Sequence, residues 1–250
     1  MRQMINNWLK NSHLLNLKLI SAKFLGSNCF LCTASQAKNH GLCEACLNDL
    51  PWLPDSSCPQ CGLNSGGQIC GNCISSPPYF DVTHAVFLYE YPVDAMIQRY
   101  KYGDTLSLSQ TFGQLMSEKI DVTNTSNPID LIIPMPMHPK RLKERGFNQA
   151  LEIAKVLNQY LTLKNARKLD YKSAIRQTLT PPQASLPLKD RVKNIKGAFK
   201  VNANLTGKRI AIIDDVMTTG ASLNELAKTL KQAGATHVEC WVIARTLPHK

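Results

Sequence analysis

Two hydrophobic periods alternate along most of this chain. Ile210 to Ile213 is an unbroken run of β-branched and small apolar residues, the pattern of a strand buried on both faces. Leu131-Ile-Ile133 and Val238 to Ala244 read the same way, and Asp81 to Tyr91 is rich in strand formers. Between these runs the spacing turns helical. Pro92 opens a helix carrying Met96, Ile97 and Tyr100, which Lys101-Tyr-Gly103 ends; a second covers Leu106 to Ile120 and a third Ala150 to Leu161. From Ser222 onward Leu223, Leu226, Ala227 and Leu230 share one helix face, and Gly234 stops it. Strands alternating with helices predict an α/β domain, a mostly parallel sheet flanked by helices, over residues 79–250. Ser75-Ser-Pro-Pro78 is its leading linker. His84 and Cys240 fall within strand patterns and read as structural residues.

Residues 1–28 follow neither regime. They hold no acid, and Arg2, Lys10, Lys18 and Lys23 are scattered among Trp8, Leu9, Leu14, Leu15, Leu17, Leu19, Ile20 and Phe24. Such an amphipathic segment suits either packing on its own protein or lying on a membrane surface. Polar interruptions and the lack of a small-residue cleavage site argue against a signal peptide. A cytoplasmic protein is expected, with contact at the inner face of the membrane left open.

Composition changes the picture at residues 29–74. Eight of the nine cysteines lie there as four Cys-x-x-Cys pairs: Cys29/Cys32, Cys43/Cys46, Cys58/Cys61 and Cys70/Cys73. Each pair brings two thiolates to one cation, and two pairs complete a tetrahedral sulfur site, the closed geometry of structural Zn²⁺. Two zinc ions are expected, in sequential or cross-braced pairing. So short a segment has too little apolar material to fold without its metal.

The chemistry is densest after the strand at 210–213. Asp214 and Asp215 are followed by Val216-Met217-Thr218-Thr219-Gly220-Ala221-Ser222 and then a helix. Unpartnered N–H groups of such a loop and first turn, with the hydroxyls, suit a phosphate. The two carboxylates suit sugar hydroxyls or hydrated Mg²⁺ beside it. Two like charges side by side repel, so replacing both by amides is expected to cost no stability.

Charge then locates the ligand. The chain carries 29 Lys and Arg against 18 Asp and Glu, and residues 126–210 alone hold a surplus of 12 positive charges. A polyanionic ligand follows, a phosphorylated metabolite or nucleic acid. Within that stretch Pro134-Met135-Pro136-Met137-His138-Pro139 runs rigidly beyond a strand's carboxyl end, where ligands bind in open α/β sheets. Lys140, Arg141, Lys143 and Arg145 follow, an anion site by placement. Arg176 to Phe199, with adjacent prolines and little periodicity, reads as a lid loop.

These motifs resemble known proteins. Ile213-Asp-Asp-Val-Met-Thr-Thr-Gly-Ala-Ser222 is similar to the PRPP-binding signature of type I phosphoribosyltransferases. P-x-P-x-H-P-x-R-L-x-x-R-G-F-N-Q (Pro134–Gln149) and the Arg176–Phe199 pattern, behind four Cys-x-x-Cys pairs, resemble the ComF family, which is linked to bacterial competence and DNA uptake. The resemblance implies a type I phosphoribosyltransferase-like sheet with an N-terminal double zinc ribbon. Asp214 and Asp215 would hold the ribose hydroxyls, Val216 to Ser222 the 5-phosphate, and Pro136, Met137, His138, Arg141 and Arg145 the pyrophosphate. Arg191 would act from a flexible catalytic loop. PRPP with Mg²⁺, single-stranded DNA and DNA-uptake machinery are the implied partners. Two functions stay open: a phosphoribosyltransferase of unnamed acceptor, or a non-enzymatic single-stranded-DNA binder with a retained PRPP pocket.

Overall fold

The structure is a computed structural model that describes residues 28–103, 105–120, 128–162, 168–179 and 195–248. The segment 1–28 (but for its last residue), the lid interior at 180–194 and Arg191 within it lie outside the described residues. The chain divides into two compact units between Asp49 and Leu50.

The first unit holds Cys29, Cys32, Cys43 and Cys46 around a short helix, α1 (Glu44–Asn48). In the second unit α2 (Gly71–Ser75) starts after Cys70 and carries Cys73, the last of the second cysteine group. The chain then runs through β1 (Val82–Leu88), α3 (Val93–Tyr102), α4 (Leu108–Lys119), β2 (Leu131–Pro134), α5 (Pro139–Arg145) and α6 (Gln149–Thr162). It finishes with β3 (Lys168–Leu169), β4 (Ala174–Arg176), β5 (Phe199–Val201), β6 (Arg209–Met217), α7 (Ala221–Gln232) and β7 (His237–Arg245). Among the described residues, no helix is long and apolar enough to cross a membrane.

Five strands form one parallel sheet in the order β1-β7-β6-β2-β3. β6 and β7 are apolar on both sides because helices cover both. Ile210 and Ile212 share a core with Leu223, Leu226 and Leu230 of α7, while Ala211 and Ile213, alternating with them, are fully buried as well. α4 and α6 pack together on the sheet. Each fully buried leucine of α7 contributes about 1.5–3 kcal/mol, which fixes that helix on its strand. β4 and β5 form a separate antiparallel hairpin against α7, the base of the predicted lid.

The strand order positions the site. From β2 the chain moves outward to β3, and from β6 it moves the other way to β7. The order therefore reverses between β2 and β6, and their carboxyl ends flank a crevice of the kind where open α/β sheets bind ligands. The predicted phosphate loop leaves β6 there and the Pro136–His138 segment leaves β2.

At the opposite end of β7, Glu239 collects partners. Its Oε2 accepts from Trp241 Nε1 at 2.8 Å and meets His84 Nε2 at 3.4 Å, and its Oε1 lies 3.1 Å from His237 Nε2. His84 is thus a structural strand residue, as its pattern suggests. Burial works against this carboxylate, but His84, Trp241 and His237 more than compensate and hold it down at about 2.

Candidate functional site

β6 runs further than its apolar residues suggest. It continues to Met217, so both acids, Val216 and Met217 belong to the strand, and only Thr218 to Gly220 form the turn into α7. Met217 is fully buried, with the Thr83 hydroxyl 3.9 Å from its sulfur, and offers no side chain to a ligand. Gly220 is the N-cap of α7 at φ 77°, a left-handed turn that aims the loop back over the strand end. Thr219 Oγ1 accepts from the Ala221 N–H at 3.3 Å; Thr218 and Ser222 are half-buried.

The acids are engaged by different elements, as alternation along a strand favours. Asp215 is buried and its Oδ2 lies 3.1 Å from Lys101 Nζ, delivered by the last turn of α3. Burial opposes the Lys101 ammonium, yet the charge and hydrogen bond of Asp215 outweigh it and raise the lysine's pKa. Among the described residues Asp214 has no such close cation. Burial first, then the neighbouring Asp215 charge, push its carboxyl up to about 7, although Lys101, Arg176 and the Asp215 N–H (2.9 Å from Oδ1) pull it down. This corrects the expectation that replacing both acids is harmless. Removing Asp215 alone leaves a buried ammonium unpaired, at a cost on the order of 3 kcal/mol.

The basic run is a helix, not an extended segment. Pro139 occupies the first turn of α5, His138 caps it by accepting from the Lys140 N–H at 3.2 Å, and Gly146 ends it. Four residues apart, Arg141 and Arg145 share one face and are half-buried; Lys140 and Lys143 are exposed. Arg145 donates to Gln149 Oε1 at 3.3 Å and to the Tyr102 hydroxyl at 3.2 Å, with its guanidinium 5.3 Å from that ring's centre. Arg141 adds its positive field to Arg176 of β4, whose pKa is lowered by burial and by Arg141 and raised again by Asp214. Pro136 is buried and Met137 half-buried; the segment is held by Met135 N–H to the Ile213 carbonyl (2.8 Å) and by Asn148 Nδ2 to the Met135 carbonyl (3.1 Å). The acid pair thus sits in the field of Lys101 and Arg176, with Arg141 adding its charge beside Arg176. Lys101 escaped the sequence reading, where a lysine in a helix's last turn looks like an ordinary dipole partner.

Arg245, at the carboxyl end of β7, is buried and committed to backbone carbonyls. Cys240 is fully buried, and burial pushes its thiol well up, an inert core residue.

The cysteines gather sequentially. Cys29, Cys32, Cys43 and Cys46 form one group and Cys58, Cys61, Cys70 and Cys73 the other, each with all ligand atoms within 4.8 Å of one another. The Cys32–Cys43 and Cys61–Cys70 sulfurs are both 3.6 Å apart. Bonds of about 2.3 Å to a tetrahedral zinc put sulfurs about 3.8 Å apart, so both groups fit that ion. Burial opposes ionisation of Cys29 and Cys58, but backbone N–H groups lower them to about 6 and about 7. Hydrogen bonds with Cys32 and Cys43 raise Cys46, while burial and neighbouring thiols raise Cys73. Four thiolates this close need a cation to share.

Comparison with known proteins agrees with this architecture. Residues 21–74 match the family described as "Double zinc ribbon domain" and residues 143–248 the "Phosphoribosyl transferase domain". The class is therefore a phosphoribosyltransferase-type α/β domain carrying a double zinc ribbon. Among curated relatives, Competence protein F of Haemophilus influenzae is 31% identical over 232 residues, 89% of this chain and 98% of that one. DNA utilization protein YhgH of Salmonella typhi is 29% identical, covering 88% and 97%; Competence protein ComFC of Streptococcus pneumoniae is 26% identical, covering 82% and 87%. The chain belongs to the ComF family of competence protein F.

Proposed function

We propose that this chain binds PRPP or a related phosphorylated sugar with Mg²⁺ at the β2/β6 crevice, and single-stranded DNA on the adjoining basic surface, in DNA uptake or utilisation. The observation that carries the reading is the meeting, at one topological switch point, of a hydroxyl loop, a carboxylate pair and the cations Lys101 and Arg176, with Arg141 beside Arg176. A phosphorylated sugar uses all three. Thr218 to Ser222 would hold the 5-phosphate, Asp214 and Asp215 would accept from ribose hydroxyls, and Arg141 and Arg145, with the Pro136–His138 backbone, would face the pyrophosphate. Carboxylates and diphosphate oxygens are hard donors that fit Mg²⁺, which would neutralise part of the diphosphate charge when bound. Breaking the ribosyl C1 bond leaves positive charge on the sugar and negative charge on pyrophosphate. Fixed carboxylates and guanidiniums stabilise both without a protein nucleophile. Arg191 is assigned its catalytic role by family resemblance alone.

The DNA reading has its own support. The relatives' names refer to competence and DNA utilization. Within 126–210, Phe199 is buried, Phe147 packs on Tyr100 and Tyr160 reaches Gln114, so Tyr171 is the aromatic left exposed there. Tyr102 compensates from α3: it is 70% exposed and carries Arg145 on its ring, a platform on which a base can stack.

Calorimetry tests the proposal. Wild type is expected to bind Mg-PRPP and, separately, a single-stranded oligonucleotide, each weakening the other. Asp214→Asn should lose PRPP affinity at least about tenfold, one charged hydrogen bond's worth, and melt no earlier than wild type. Unchanged affinity in that variant would sink the ribose assignment.

A further inference from the structure

Arg245 closes β7 level with Met217 of β6 and Leu88 of β1, and is 4% exposed. Its Nε donates to the Cys61 carbonyl at 2.7 Å. Its Nη1 donates to the carbonyls of Met217 at 3.0 Å, of Thr246 at 2.7 Å and of Thr218. One side chain thereby joins a knuckle of the second cysteine group to the strand end that enters the phosphate loop. The contact is tight. Gly62, next to Cys61, has φ +72°, and a Cβ there would lie 3.4 Å from both Cγ and Cδ of Arg245. The knuckle is also tied to β1, since Thr83 N–H donates to the Pro59 carbonyl at 2.9 Å and its hydroxyl to the Gln60 carbonyl at 2.7 Å. A planar guanidinium can reach both sides at once; a lysine ammonium is a point donor without that span.

Peptide geometry turns this tie into a statement about the loop. In a trans peptide the carbonyl of one residue and the N–H of the next point in opposite directions. Drawing the Met217 and Thr218 carbonyls onto Arg245 therefore aims the Thr218 and Thr219 N–H groups away from it, towards the crevice. We infer that Arg245 is a positioning residue through which the second cysteine group, with its metal bound, fixes the backbone of the 218–222 loop. The inference rests on reading that loop as the phosphate site. Four crowded thiols held by one cation keep the Cys58–Cys61 knuckle rigid, and without the cation the knuckle opens locally. The Cys61 carbonyl then shifts, Arg245 loses a charged hydrogen bond, and its grip on both loop carbonyls slackens.

The test compares full-length wild type, Arg245→Lys and the double variant Cys70→Ser with Cys73→Ser. Hydrogen exchange of the loop is read at the Asn224 and Thr246 amides, which donate to its Gly220 and Met217 carbonyls, with α4 as internal reference, beside zinc content and Mg-PRPP calorimetry. Arg245→Lys is expected to keep both metals, to speed exchange roughly tenfold at Thr246 and Asn224, whose N–H groups donate to the Met217 and Gly220 carbonyls at 3.0 and 2.8 Å, and to lose PRPP affinity by a similar factor. The cysteine variant should lose one zinc and show the same loop acceleration. Native loop exchange in Arg245→Lys overturns the inference, as does native loop exchange in a cysteine variant lacking one zinc. If α4 accelerates as much as the loop in both variants, Arg245 is a general support of the fold and the proposal fails. Should wild type bind no PRPP, the phosphate reading falls while the exchange measurements still decide the coupling.

Discussion

Asp214 and Asp215 are adjacent in sequence but electrostatically unlike. Asp215 is paired with Lys101, whereas burial and the neighbouring Asp215 charge push the Asp214 carboxyl up to about 7. A carboxyl raised in the folded state binds its proton more tightly there than when unfolded. Its contribution to stability is therefore full below the ordinary 3.8 and is lost as the pH rises through about 7. Ribose hydroxyls need the ionised form as acceptor. PRPP binding is accordingly expected to strengthen between pH 6 and 8, within about one pKa of that group, and to release a proton near pH 7. Calorimetry in two buffers of different ionisation enthalpy measures that release, and Asp214→Asn should abolish it. The acids and the cysteines were legible in the sequence because each motif is local. Lys101 and Arg176 were not, because a distant helix and a distant hairpin bring them to the acids.

α5 shows how an element sorts charges that look equivalent in a row. Pro139 and the Gly146 stop are helix signals on either side of the basic run, yet so short a helix has little apolar periodicity to announce it. Once wound, it turns Arg141 and Arg145 to one side and leaves Lys140 and Lys143 in water. Two double variants should therefore separate. Lys140→Ala with Lys143→Ala is expected to weaken single-stranded DNA binding, to lower the slope of log affinity against log salt by about 0.7 per lost phosphate contact, and to spare PRPP. Arg141→Ala with Arg145→Ala should cut PRPP affinity at least about tenfold. Titrations at several salt concentrations check both, and the reverse pattern would refute the facial assignment. The strand pattern likewise placed β6 correctly but ended it early, because a strand that finishes in a polar crevice stops looking apolar before its ladder stops.

At the scale of the whole chain, metal and charge organise the molecule. Elemental analysis of protein purified without chelator should return about two zinc ions per chain, one for each closed tetrahedral group. A value near zero with residues 29–73 still resistant to protease would contradict the metal assignment. Cysteine spacing made two sites evident and left their pairing undecided; sulfur positions decide it as sequential. Spacing also could not show that the second group packs with the sheet, since the ties involved, Thr83 and Arg245, come from strands far along the chain. The surplus of positive charge in residues 126–210 was legible as a number. Its direction was not, because it depends on which side of each helix meets the sheet.

The strand order also has a consequence during translation. β1 is the first strand of the sheet to leave the ribosome, and its neighbour in the sheet is β7, the last. Residues 51–53 bond one edge of β1, but throughout synthesis of residues 89–236 its other edge has no strand to pair with until β7 arrives between β6 and β1. A premature stop before His237 would thus remove the middle of the sheet, and β1 would become an open edge of the kind that recruits other chains.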